Sequence, residues 1–106
     1  MLSDGSVYEG EWLGDQKHGT GTHIVTGQYR YEGQFSYDQK DGQGIMHYAN
    51  GDVYRGMFKD DKRHGSGEFT FNNGNNSYKG EWYKDKRKGR GIETYPNNIT
   101  YDGFFK

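Results

Sequence analysis

The side chains that could do chemistry in this 106-residue chain are four histidines, rows of carboxylates and two series of cations. His18, His23, His47 and His64 are the candidate metal ligands. Zinc needs its ligands about 2 Å from one ion. His18 and His64 occupy matching places in a repeating pattern, four strands and roughly 19 Å apart in a sheet. His23 and His47 fall at places of opposite parity, so no metal site is expected. The chain has no cysteine, which excludes a disulfide framework, a thiol nucleophile and a Cys-based zinc site. No serine sits in a plausible triad, and the carboxylates recur in rows with no distinctive pair. No catalytic residue and no cofactor are expected, and the chain reads as a non-enzyme. Gly-x-Gly pairs at Gly19/Gly21, Gly42/Gly44, Gly65/Gly67 and Gly89/Gly91 are a weak phosphate-loop signal, because no helix follows them. Asn75-Asn76-Ser77 and Asn98-Ile99-Thr100 fit the glycosylation acceptor pattern but are silent without secretion.

The remaining chemistry is recognition. Asp15, Asp38, Asp61 and Asp85 form one column, followed two residues on by Lys17, Lys40, Arg63 and Arg87. One reading is a basic ridge for phosphoinositide heads, formed by Lys62, Arg63, Lys84, Lys86, Arg87, Lys88 and Arg90. The other is a solvated loop edge with local ion pairs, each worth about 0–1 kcal/mol. The interleaved aspartates favour the second, with a membrane surface kept as the lesser alternative. With 14 Lys and Arg against 15 Asp and Glu, no nucleic-acid partner is expected.

These side chains are placed by a repeat. Tyr8, Tyr31, Tyr54, Tyr78 and Tyr101 recur at intervals of 23 or 24 residues. Two positions on lie Gly10, Gly33, Gly56, Gly80 and Gly103, and two further on Trp12, Phe35, Phe58, Trp82 and Phe105. Beyond each Gly-x-Gly pair comes Val25, Tyr48, Phe71 or Tyr95. The period of two puts Tyr, Gly and Trp/Phe on one strand face, with mostly polar residues between. Each repeat reads as two short strands. Asp4-Gly5, Asn50-Gly51 and Asn73-Gly74 are hairpin signals, with Gly27 and Pro96-Asn97-Asn98 in equivalent roles. No segment has a helical period. The expectation is an all-β chain: one array over 1–106, with repeats at about 8–30, 31–53, 54–77 and 78–100 and a partial fifth at 101–106.

Composition agrees. Hydrophobic residues are only 29% of the chain, while aromatics are 17% and glycines number 18. The aromatic content and the balanced charge argue against disorder. A one-layer sheet has no second layer to cover it, and large rings can lie across neighbouring strands where glycine leaves room, at about 0.5–1 kcal/mol per glycine. Each repeat alone buries little, so stability is a nearest-neighbour sum. The start lacks an apolar signal region and no apolar run approaches about 18 residues, so a cytoplasmic protein is expected.

Tyr-x-Gly-x-Trp/Phe, an Asp/Lys/Arg loop, His/Lys-Gly-x-Gly and Asn-Gly-x-x-Tyr together resemble the MORN (membrane occupation and recognition nexus) repeat. Tyr54 to Phe69 matches nearly throughout, as does Tyr78 to Gly91; the second repeat departs at Asp41 and at Gln28-Tyr29-Arg30. The resemblance implies an elongated, twisted antiparallel meander with an aromatic groove on one face. It also implies a range of roles: a cytoskeletal or ciliary (axonemal) scaffold, a membrane tether, or a regulatory array of a larger lipid kinase or methyltransferase. Trp12, Phe35, Tyr48, Phe58, Phe69, Phe71 and Trp82 are the expected partner-binding groove. The break at Tyr101–Lys106, inside a repeat, leads us to expect either a longer array or an edge that self-associates or pairs with another protein.

Overall fold

In the computed structural model, residue 2 and residues 4–72, 76–96 and 99–105 are described, with Phe105 described for its backbone only. The strands are β1 (Val7–Leu13), β2 (Gln16–Val25), β3 (Tyr29–Ser36), β4 (Gln39–Tyr48), β5 (Val53–Lys59), β6 (Lys62–Thr70), β7 (Ser77–Tyr83), β8 (Lys86–Thr94) and β9 (Thr100–Phe105). They form one open antiparallel sheet in chain order, 47 × 24 × 17 Å. No strand contacts any but its sequence neighbours to a substantial extent, so the sheet has to build its interior on one face of itself.

Glycine makes that possible. Gly10, Gly21, Gly33, Gly44, Gly56, Gly67, Gly80, Gly91 and Gly103 pair directly from strand to strand, one bare position per strand across the whole sheet. The ring of Tyr8 lies over Gly21, that of Tyr31 over Gly44, that of Tyr54 over Gly67 and that of Tyr78 over Gly91. Tyr31, Tyr54 and Tyr78 are fully buried although the sheet is one layer thick. Tyr8, Tyr31 and Tyr54 each meet the aromatic of their own repeat and that of the next, edge to face. Tyr31 lies 5.0 Å from Phe35 and 5.1 Å from Phe58, and Tyr54 5.0 Å from Phe58 and 5.4 Å from Trp82. Such pairs contribute about 0.5–1.5 kcal/mol beyond the area they bury.

Each tyrosine hydroxyl also closes a bulge. The β1–β2, β3–β4, β5–β6 and β7–β8 ladders shift register just past the paired glycines. Tyr8 Oη donates to Glu11 O at 2.7 Å, Tyr31 to Gln34 O at 2.8 Å, Tyr54 to Met57 O at 2.8 Å and Tyr78 to Glu81 O at 3.1 Å. Burial holds the phenols of Tyr31 and Tyr54 well above their ordinary range, so both stay neutral donors. The side chains of Glu11, Gln34 and Glu81 in turn accept from the backbone N–H of Thr20, Gln43 and Arg90. Met57 stands at the same place in the third repeat and offers no such oxygen.

Two sequence readings need correction. The Asp/Lys/Arg loop shrinks to two residues, Tyr37-Asp38, Asp60-Asp61 or Lys84-Asp85, all with φ between 48° and 70°. These have the left-handed geometry of two-residue hairpin turns. Lys17, Lys40, Arg63 and Arg87 therefore sit on strands, and β2, β4, β6 and β8 run longer than the Gly-x-Gly pattern suggests. Asn50-Gly51 does join two strands, but through four residues with a left-handed φ only at Gly51. Asp4-Gly5 turns the chain back in the same way ahead of β1, with Gly5 N–H to Leu2 O at 2.9 Å and Leu2 N–H to Ser6 O at 2.7 Å, the pattern that Gly51 and Asp52 make with Tyr48. Gly27 lies in the β2–β3 turn, as expected. The turns assigned to Asn73-Gly74 and Asn97-Asn98, and the acceptor asparagines Asn75 and Asn98, lie outside the described residues.

The glycine pairing yields a stability prediction. At Gly33 a Cβ would lie 2.5 Å from Gly44 Cα and 2.5 Å from Gln43 O, backbone atoms held by the ladder. Gly33→Ala is expected to cost about 2–4 kcal/mol. Gly27→Asn, at an open left-handed position, should cost under about 1 kcal/mol. Urea unfolding followed by circular dichroism checks both.

Candidate partner-binding groove

The aromatic face of the sheet carries three rows. Tyr8, Tyr31, Tyr54 and Tyr78 form the first, with His23, Met46 and Phe69 paired between them from the return strands. Phe35, Phe58 and Trp82 form a second row, each under 10% exposed, and Trp82 Nε1 donates to Gly67 O at 3.2 Å. Tyr29, Tyr48 and Phe71 form the third and are only partly covered. Phe69 ties the rows together, with ring centroids 5.0 Å from Phe71, 5.9 Å from Tyr48 and 6.0 Å from Trp82.

The turn aspartates bring cations over this face. Asp38 Oδ1 accepts from Lys17 N at 2.7 Å, Asp61 from Lys40 N at 2.8 Å and Asp85 from Arg63 N at 2.8 Å. The aspartate N–H groups return bonds to the carbonyls of Lys17, Lys40 and Arg63 at 2.9–3.1 Å. The same carboxylates pair with Lys17 Nζ at 3.4 Å, Lys40 Nζ at 3.3 Å and Arg63 Nε at 3.1 Å. Each turn thus grips the strand of the preceding repeat. The cation then lies over rings: Lys40 is 5.1 Å from Tyr29, Arg63 4.6 Å from Trp82 and 5.4 Å from Phe69, and Arg87 4.7 Å from Tyr78. Arg87 also pairs with Glu93.

Two adjoining clefts result. One, of about 370 Å³, is lined by Tyr48, Asp52, Arg63 and Phe69; the other, of about 250 Å³, by Arg63, Phe69, Phe71, Trp82 and Arg87. Together they form a groove with an aromatic floor and guanidinium walls. Of the seven residues expected to line it, Tyr48, Phe69, Phe71 and Trp82 are brought together here. Phe35 and Phe58 are buried in the core, and Trp12 lies 46% exposed at the first strand. Tyr101 is half exposed on β9, and Gly103 continues the glycine row. Arg63 makes the local ion pair that the favoured reading of its column expects, and also forms the groove wall; its groove membership is legible only as parity with Phe58, directly across the ladder. Met46 and His23 are core residues whose signal was their place two residues beyond Gly44 and Gly21.

The residues of the less favoured basic-ridge reading divide. Arg63 and Arg87 fold over the aromatic face, and Arg90 pairs with Asp102 at 3.4 Å. Lys62, Lys84, Lys86 and Lys88 are exposed elsewhere, near the two-residue turns.

A MORN repeat family model matches residues 8–24, 31–53, 54–76 and 78–100. The chain belongs to the MORN repeat family. Comparison with curated proteins gives no match. MORN repeats are generally protein- or membrane-interaction modules, and the repeat itself is non-catalytic.

Two predictions follow from the turns and the core. Asp61→Ala loses the grip on Lys40 and places alanine at φ 70°, at an expected cost of about 1–2 kcal/mol. Asp61→Asn keeps an acceptor oxygen and a tolerated φ and should cost under about 0.5 kcal/mol. Thermal unfolding separates the two. His23, buried, has Nε2 3.0 Å from Ser6 Oγ and Nδ1 3.3 Å from Tyr29 Oη. Burial, then the fields of Lys17 and Lys40, lowers its pKa against a weaker opposing pull from Asp4 and Asp61. The unfolded chain therefore takes up that proton first, and stability falls as pH drops below about 6.5. His23→Met, which copies Met46, should flatten the loss of melting temperature between about pH 7.5 and 5.5. An equal loss in both proteins would place the dependence elsewhere.

Proposed function

We propose that this protein is a non-enzymatic interaction scaffold that holds a protein partner in the aromatic groove between Tyr48 and Arg87. The observation that carries this reading is the groove itself. Tyr48 and Phe71 remain partly open after the other rings have interlocked, and Arg63 and Arg87 stand beside them. A contiguous apolar floor with aromatic and arginine neighbours has the composition of a protein-binding hot spot. Cations fixed beside the partly open rings also favour a partner segment carrying carboxylates beside apolar side chains. Within the range of roles that MORN arrays serve, a cytoskeletal or ciliary assembly in the cytoplasm suits an elongated array 47 Å long whose substantial contacts run between neighbouring strands.

Because Phe58 and Trp82 are core residues, their truncation tests folding more than binding. Tyr48→Ser and Phe71→Ser, each expected to keep the melting temperature within a few degrees of wild type, are the informative changes. Affinity capture from ciliated-cell extract, compared with wild type, should lose most of its specific partners with the double variant. Undiminished capture by the folded double variant would rule out the groove as the binding surface.

A further inference from the structure

The near-neutral total charge hides a segregation along the array. Residues 1–53 carry three Lys and Arg against eight Asp and Glu, a net of −5; residues 54–106 carry eleven against seven, a net of +4. The ion pairs sharpen this. Lys17, Arg30, Lys40, Arg63, Arg87 and Arg90 each face a carboxylate. Among the described residues the cations without one are Arg55, Lys59, Lys62, Lys79, Lys84, Lys86 and Lys88, all in the later repeats.

Most of these gather at one place, on the sheet face opposite the aromatic groove. A cleft of about 240 Å³ between the β5–β6 and β7–β8 turns is lined by Lys59, Asp60, Lys62, His64, Tyr83 and Lys84. Lys59 and Lys62 pair directly across the ladder, where the other hairpins have Leu13/Gln16, Ser36/Gln39 and Tyr83/Lys86. Like charges placed opposite each other in a sheet are destabilising. No carboxylate but that of Asp60 lines the cleft to relieve them. His64 packs on Tyr83 at 5.1 Å and Lys84 Nζ lies 5.2 Å from the same ring, so Tyr83 forms a partly exposed aromatic back wall. Lys86 continues the positive row directly across from Tyr83.

We infer that this cleft is a second binding surface, which takes an acidic polypeptide segment of a partner protein. The charge distribution favours a narrow occupant. A flat anionic membrane spread over this face would also meet the row of Glu9, Glu32, Arg55, Glu68, Lys79 and Asp102, four carboxylates against two cations, and the net −5 half of the array. A single acidic strand along the turn edge meets Lys59, Lys62, Lys84 and Lys86 and avoids those carboxylates. The surface is independent of the aromatic groove, and the two together would let one array join two protein segments.

Fluorescence anisotropy with a labelled decaglutamate peptide tests this. Binding is expected at about 50 mM salt and should weaken strongly by about 200 mM. The triple change Lys59→Gln, Lys62→Gln, Lys84→Gln should weaken it about tenfold or more, with an unchanged or slightly raised melting temperature because the Lys59–Lys62 repulsion is gone. Arg55→Gln with Lys79→Gln, which removes two unpaired cations outside the cleft, should change it less than about threefold, and Tyr48→Ser with Phe71→Ser should leave it unchanged. No binding at low salt would overturn the site, and so would equal losses from the two sets of cation changes. Sedimentation with vesicles of phosphatidylcholine and one-third phosphatidylserine, lost in the triple variant, would overturn the choice of occupant.

Discussion

A sheet without a second layer has to bury its own surface, and here the seating of a tyrosine ring on a glycine of the neighbouring strand does so. The phenol is wide enough to cover a strand and has a hydroxyl at its far end. The glycine gives the ring a flat seat, and the hydroxyl reaches the carbonyl of the residue at the register shift in the tyrosine's own strand. Without the glycine the ring would have to lift, the hydroxyl would miss the carbonyl, and the bulge would lose its clasp. The unbroken row of glycine pairs is the geometric consequence of repeating this contact in every hairpin. The aromatic core needs few aliphatic residues because Tyr8, Tyr31 and Tyr54 each touch a ring in their own repeat and one in the next.

Repeats joined only to their neighbours need couplings that do not depend on a shared core. The turn aspartates provide them. Their left-handed backbone lets the carboxylate and the N–H of one residue both face the preceding repeat, where a Lys or Arg supplies an N–H, a carbonyl and a charged tip. The ion pairs alone are half exposed and weak. Their larger effect is positional: they carry Arg63 over the aromatic floor, and the groove wall exists because of it. Structural coupling and the shape of the candidate site are thus one arrangement of side chains. Lys59, Lys62 and Lys84, left out of it, line the cleft on the other side and give the two sides of the sheet different chemistry.

Much of this architecture is readable along the chain, because a period of two within strands and of 23 between repeats is a local property. The Tyr, Gly and Trp/Phe columns lie where that parity puts them, and the Asn50-Gly51 and Gly27 connections fall between strands. The Asp/Lys/Arg stretch misleads for a physical reason. Tyr37-Asp38 and Lys84-Asp85 hold left-handed φ without glycine, so the usual composition signal for a two-residue turn is missing and the stretch reads as a longer loop. Groove membership was half legible. The sequence places Phe35 and Phe58 on the same face as Tyr48 and Phe71, but whether a ring is covered depends on what the next repeat lays against it.

The sequence by itself determined that the chain is an array of glycine-seated aromatic hairpins, since residue type and spacing suffice to say which side chains share a face. Only the tertiary structure decided which of those rings are core and which are surface, and which cations are neutralised. Both depend on contacts between residues about 21 or 22 positions apart, such as Lys40 with Asp61 or Arg63 with Asp85. Parity alone says nothing of such pairs. The register of one hairpin against the next fixes them, and that register leaves Arg63 folded over rings while Lys62, its neighbour in the chain, stands free on the opposite face.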